Sequence, residues 1–242
     1  MVVQILVGTG GLTTAAWLAD DFDFWAFDRR CDVLDVLVVE APIAEQVALR
    51  TQRLAPVRTI TEQWFERVIG LHRELHDLDK PLVRADLDHA LDTWQWILRL
   101  DRGATAACQL AGLLHDIERL VSEADARVEH HAADYQAFKD AHARAGAQLA
   151  RGLLERAEVP RALVDRVTML VEIHERRGDD REVMLVNDAD ALSFFSLNSP
   201  GYLAYFGPEQ TRKKVAYTLA RMSPAARAWL PRVRILRGVL HA

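Results

Sequence analysis

The sequence predicts an all-α protein: a helical bundle preceded by a small N-terminal appendage with two short strands. Two observations carry that expectation. From about Ile60 onward, apolar residues recur at three- and four-residue steps through one segment after another, as the buried face of a helix requires. β-prone runs are confined to the start of the chain, at Val2 to Val7 and Val33 to Val39. The division that follows is residues 1–57 as appendage and 58–242 as helical domain.

Taken in order, the two β-prone runs bracket a Gly-rich turn and the aromatic stretch DFDFWAF. The turn Gly8-Thr9-Gly10-Gly11 has Leu12 or Thr13 where a dinucleotide loop would place its third glycine. Too little sheet surrounds it for a Rossmann unit, so it reads as a plain turn. The segment TEQWFERVIGLHRELHDL starts the helical region, with Thr61 suited to a helix start. Leu87 to Leu100 is an amphipathic helix after the turn-like KPLVRAD, and Ala104 to Ser122 a more apolar one. A further helix spans Tyr135 to Ala157. Pro160 stands where a first helical turn tolerates proline, so the next runs from Arg161 to His174, before the polar break RRGDDRE. DADALSFF opens another. SLNSPGYLAYFGP reads as a break, followed by helices over Glu209 to Met222 and Ala225 to Leu240, the last interrupted at Pro231. There is no internal repeat or low-complexity tract.

Composition bounds the function. The chain is 50% hydrophobic and 27% charged, with 12 Gly and 8 Pro scattered along it, which is the balance of a globular protein that folds without a partner. A net charge of -5 argues against a dedicated nucleic-acid binder, which needs a broad basic surface. Cys31 and Cys108 are too few for a disulfide framework or a cysteine-ligated zinc site. The start MVVQILVGTGG lacks the basic flank and long apolar run of a signal peptide, and no segment suffices to span a bilayer. The expectation is a cytoplasmic protein.

Imidazoles and carboxylates stand at or near apolar helical stretches in several places: His89 in LDHALDTW, His115 and Asp116 in LAGLLHDIERL, His142 in DAHARAGAQLA, His174 in MLVEIHE and Asp188 in LVNDADALSFF. These are metal-ligand types, suited together to Fe, Mn, Co, Ni or Zn, and a carboxylate next to a ligating His can bridge two ions. A helical bundle supplies the cage, because side chains of facing helices converge on its axis.

The order H…HD…H…H…D resembles the HD-domain superfamily of metal-dependent phosphohydrolases over roughly Leu87 to Phe195. AGLLHDIER, HARAGAQLARGLL and VNDADAL are similar to the surroundings of that family's ligands. The resemblance implies an HD-type helical bundle in which His89, His115, Asp116 and Asp188 hold a first divalent ion. His142 and His174, with Asp116 bridging, hold a second as in the dinuclear branch, with Mg added to the candidate metals. A metal-bridging hydroxide would attack a small phosphorylated substrate, a nucleotide foremost. Asp116 and Arg119 would be the catalytic residues, Arg119 standing three residues after the HD aspartate, where many family members carry Lys, to bind a phosphate oxygen.

Competing readings attach to several of these residues. Were one ion bound, His142 and His174 would be supporting or substrate-binding groups, and Asp190 competes with Asp188 as last ligand. Arg212, Lys213 and Lys214 could attract a phosphate, or form a solvated helix face. His76-Asp77 is discounted as a second HD pair because no ligand partners follow at suitable distances. His130 and His131 read as loop residues, and Trp94 and Trp96 as core. The same ligands occur in HD-type diiron oxygenases, a second candidate activity. TRKKVAYTLARMSPAARAWL resembles a poorly described group of HD-like proteins, some without the HD pair, so a non-catalytic metal-binding regulatory module is the third.

Overall fold

The computed structural model describes residues 3–9, 12–18, 35–40, 60, 62–127, 134–176, 178–233, 235 and 237–240. The aromatic stretch 22–27, Gly10 and Gly11, Cys31, Thr61, His130 and His131 lie outside them. The chain divides into two compact units, residues 1–59 with 231–234 and residues 60–230 with 235–242.

Among the described residues of the first unit the backbone forms three strands rather than two, β1 (Val3–Thr9), β2 (Leu12–Leu18) and β3 (Asp35–Glu40). Both neighbours pair antiparallel with β1, in the order β2-β1-β3. The strand missed in the sequence, LTTAAWL, is short of the Val-rich signature that marks the other two.

Among its described residues the second unit is all-α. Its helices are α1 (Gln63–Glu74), α2 (Pro81–Leu100), α3 (Ala106–Leu114), α4 (Arg119–Ser122), α5 (Tyr135–Arg156), α6 (Arg161–Ile173), α7 (Arg181–Ser193), α8 (Ser199–Arg221), α9 (Pro224–Arg227) and α10 (Arg237–Leu240), with a π-helical turn, Phe194–Asn198, joining α7 to α8. Their starts follow from local chemistry. Pro81 opens α2, where a missing N–H costs nothing. The side chains of Thr105, Asp134 and Asp180 accept backbone N–H groups at the starts of α3, α5 and α7. The apolar stretch expected to be helical from Ala104 to Ser122 is broken after Leu114, and residues 115–118 form a turn between α3 and α4. The expected break at SLNSPGYLAYFGP is instead helical, with Pro200 at its first turn and a kink at Gly207 (φ 77°) before Pro208.

The core is built by α2 packing on α3 and α7, α3 on α6, and α5 on α6. Trp94 and Trp96 belong to it, their indole N–H groups donating to Gln109 Oε1 and Ser196 Oγ. Gly112 lets α3 lie directly on α2, since a Cβ there would stand 2.4 Å from Ile97 Cδ1. Cys108 is a buried free thiol that burial pushes up to about 12. Among the described residues no helix is long and apolar enough to cross a membrane.

Candidate metal centre

Five elements deliver the site. His89 comes from the middle of α2, and His115 and Asp116 from the end of α3 and the turn after it. His142 comes from α5, His174 and Glu175 from the end of α6, and Asp190 from α7. The break after Leu114 matters because it lets consecutive residues, His115 and Asp116, face one centre, which a continuous helix would turn 100° apart. Gly146 of α5 permits close approach to that turn, its position for a Cβ lying 3.4 Å from the His115 carbonyl oxygen.

Three imidazoles are held in one sense. The Nδ1–H of His115 donates to the Gly112 carbonyl (3.0 Å) and that of His174 to the Val171 carbonyl (2.7 Å). His89 Nδ1 lies 2.9 Å from Ser193 Oγ, whose hydroxyl donates back to the His89 carbonyl. Each ring therefore turns its Nε2 inward, the arrangement that fixes a ligand tautomer in metal proteins. The His89 and His115 Nε2 atoms are 3.2 Å apart, and Asp190 Oδ1 is 3.1 Å from the first and 3.6 Å from the second. Asp116 Oδ2 is 3.8 Å from both. The Nε2 of His174 is buried without a hydrogen-bond partner. Two sets of ligand atoms, His89/His115/Asp116 and His174/Glu175/Asp190, each close within 4.8 Å and could hold a metal ion. An inward lone pair left unfilled in a buried polar cluster is what a cation would satisfy, so the residues fit one.

The electrostatics agree. Burial opposes charge on His115, but the Asp116 and Asp190 carboxylates raise it to about 9, so a proton occupies the middle of the cluster at neutral pH. Burial pushes His174 the other way, to about 4, against the pull of Glu175, which keeps it neutral and able to coordinate. Burial would raise the Asp116 carboxyl, yet Arg119, His115 and His142 hold it well below the usual carboxylate range.

Beside the cluster opens a cavity of about 290 Å³, its walls including His89, Asp116 and Asp190. Arg119, Arg127, Lys139, Lys214 and Arg221 line it together with the acids Asp86, Asp88 and Glu175, and Phe194, Tyr202, Tyr205 and Phe206 form an aromatic side. Arg119 is pinned by Asp116 (2.8 Å) and Glu123 (2.6 Å), and Arg127 forks onto Asp86 (2.7 and 3.0 Å).

A family profile described as a domain of unknown function (DUF4202) matches residues 66–240. This chain belongs to the DUF4202 family. No curated protein and no solved structure matched it.

Within the DUF4202 region the structure brings His89, His115, Asp116 and His174 near one another, and corrects other assignments. Asp188 is not in the cluster: its carboxylate accepts the Ser223 N–H (2.8 Å) and hydroxyl (2.5 Å) at the start of α9. Asp190 takes the inward place, because residues two apart on a helix point about 200° apart and only one can face the centre. His142 touches the cluster through Asp116 (Nε2 to Oδ1, 2.9 Å), but its Nδ1 is engaged by Glu118 (2.5 Å) and it belongs to neither set of ligand atoms. Of the basic run, only Lys214 lines the cavity. Arg212 and Lys213 are exposed, with Lys213 paired to Glu209, since successive helix positions diverge. His76 is buried elsewhere, against the His72 carbonyl.

Glu175, Lys139 and Arg221 were missed in the sequence. Glu175 adjoins a proposed ligand, and its acidity was the one available signal. Nothing local marks the other two.

Proposed function

We propose that this chain is a metal-dependent phosphohydrolase acting on a small phosphorylated metabolite, nucleotides foremost, with two divalent ions. The observation that carries the reading is the set of inward Nε2 atoms of His89, His115 and His174, one of them unfilled, beside a cavity that His89 lines and whose wall carries cationic and acidic side chains in equal number. The order of these residues, similar to the HD superfamily, supports it. His89, His115, Asp116 and Asp190 would hold one ion, and His174 would hold the second. Such ions, when bound, lower the pKa of water and offset charge that builds on phosphoryl oxygens.

The chain's own residues do the rest. Arg119 meets a phosphate already oriented, because Asp116 and Glu123 fix its planar fork at the cavity wall. Lys214 adds a second positive contact; its ammonium lies 3.2 Å from the Tyr135 hydroxyl and faces the rings of Phe194 and Tyr202. Phe194, Tyr202 and Phe206 exclude bulk water from that side, which strengthens each charge contact inside. His142 fixes the rotamer of Asp116 through Nε2 and is itself held by Glu118, with a pKa that these two carboxylates raise against burial. A cavity this small suits a metabolite and not a polymer.

The test is phosphate release from a panel of nucleotides and other phosphomonoesters by metal-loaded full chain, beside Asp116→Ala. Release by the wild type and its loss with the bound metal in Asp116→Ala are expected. A metal-loaded wild type that releases phosphate from nothing, or that consumes dioxygen instead, would refute the assignment.

A further inference from the structure

The second set of ligand atoms, His174, Glu175 and Asp190, already holds positive charge, and that charge comes from the protein. Lys139 Nζ lies 2.5 Å from Glu175 Oε1. Arg221 bridges the two acids, with Nη1 2.5 Å from Glu175 Oε2 and Nη2 3.0 Å from Asp190 Oδ2. All are buried: Lys139 and Glu175 are 2% and 3% exposed, an ion pair that must be kept whole because either partner alone would be a bare charge in the core.

The match is incomplete at one atom. His174 Nε2 is 3.6 Å from the same Glu175 Oε1 that binds Lys139, yet it has no hydrogen-bond partner although the residue is 0% exposed. Its Nδ1 is committed to the Val171 carbonyl, so the ring cannot turn to relieve this. The ammonium thus satisfies the carboxylate and leaves the imidazole lone pair empty. A divalent ion that accepts one nitrogen and two carboxylate ligands would satisfy all three. Lys139 also has somewhere else to go: it lines the cavity, and its four-carbon stem can swing an ammonium that has no fixed fork geometry to lose. Arg221, held by both acids through a planar fork, is the cation that stays.

We propose that His174, Glu175 and Asp190 form a cation subsite in which the Lys139 ammonium stands in for a divalent ion, and that uptake of the ion transfers this ammonium to an anion in the adjoining cavity. The inference rests on the metal reading above. Its charge arithmetic gives it a direction. Glu175 and Asp190 are balanced by Lys139 and Arg221, so an added divalent ion leaves surplus positive charge beside the cavity, which a phosphate offsets. Ion and phosphate should therefore bind with positive coupling, and by linkage the coupling is mutual. No bond is made or broken.

The experiment titrates a divalent ion, Mn2+ followed by electron paramagnetic resonance, into metal-free full chain with and without inorganic phosphate. Lys139→Met, Glu175→Gln and His174→Ala are compared, each checked for its fold by circular dichroism. In the wild type, phosphate should tighten one of the bound ions. Lys139→Met removes the competing cation, so that ion should bind roughly tenfold tighter or more, and phosphate should strengthen it less than in the wild type. Glu175→Gln and His174→Ala should each lose this ion and keep the other. A purely structural Lys139 would instead leave ion affinity unchanged or weaker on substitution, which overturns the inference even if Glu175→Gln fails to fold. One ion that none of the three substitutions alters overturns this inference alone; a wild type that binds no ion overturns the phosphohydrolase reading with it.

Discussion

Replacing Asp190 and Asp188 in turn by Asn separates the inward carboxylate from its neighbour on the same helix. Asp190 accepts from Arg221 (3.0 Å), lies 3.1 Å from His89 Nε2 and stands 3.6 Å from His115, with its side chain 12% exposed. Neutralising it leaves the Arg221 guanidinium buried against an amide. Removal of one partner from a buried pair costs about 3 kcal/mol at the lower end of the usual range, and the isosteric Asn keeps the effect there. Asp188→Asn weakens the charge assistance in its bonds to Ser223 N–H and hydroxyl, about 1–2 kcal/mol. Urea unfolding of the metal-free variants measures this difference, and calorimetric titration with Mn2+ or Zn2+ measures the more decisive one. Asp190→Asn should weaken ion binding by about a hundredfold or more, whereas Asp188→Asn should bind as the wild type does. Loss of ion binding in Asp188→Asn with retention in Asp190→Asn would refute the placement of Asp190 at the centre.

Three further outcomes follow from the same geometry. Because a proton sits on His115 until about pH 9, a metal ion must displace it. Apparent ion affinity should rise with pH from 6.5 to about 9, by up to about tenfold per unit, with proton release in calorimetry; a flat profile would contradict the shared site. The sign reverses for the metal-free fold: a raised His pKa contributes stability below 6.5 that is lost as pH rises through about 9, so unfolding midpoints attributable to His115 should fall across that window. Arg119→Ala should lower kcat/KM for phosphate release about a hundredfold at unchanged ion content, with Arg119→Lys restoring part of it, while the exposed pair Arg212→Ala with Lys213→Ala should leave turnover intact and shift stability by no more than about 0.5 kcal/mol.

The helices were legible where period and punctuation agree. Pro160 and the apolar face beyond it mark Arg161–Ile173, and Tyr135–Arg156 was bounded to within a residue. Pro and Gly misled at residues 196–208, where Pro200 starts a helix and Gly207 absorbs a kink, so that both serve helical structure. At the site, residue type and order were enough to single out His89, His115, Asp116 and His174. They could not choose between Asp188 and Asp190, because the choice depends on which face of α7 meets α2, a matter of packing. Glu175 escaped for a related reason: its role depends on Lys139 and Arg221, 36 and 46 residues away in sequence and delivered by other helices.

The most direct test of the metal centre is anomalous diffraction at the Mn edge from crystals of the full chain grown with Mn2+. The account predicts a peak about 2.0–2.2 Å from His89 Nε2, His115 Nε2 and carboxylate oxygens of Asp116 and Asp190. A peak ligated by Asp188 instead, or none between these imidazoles, would contradict it.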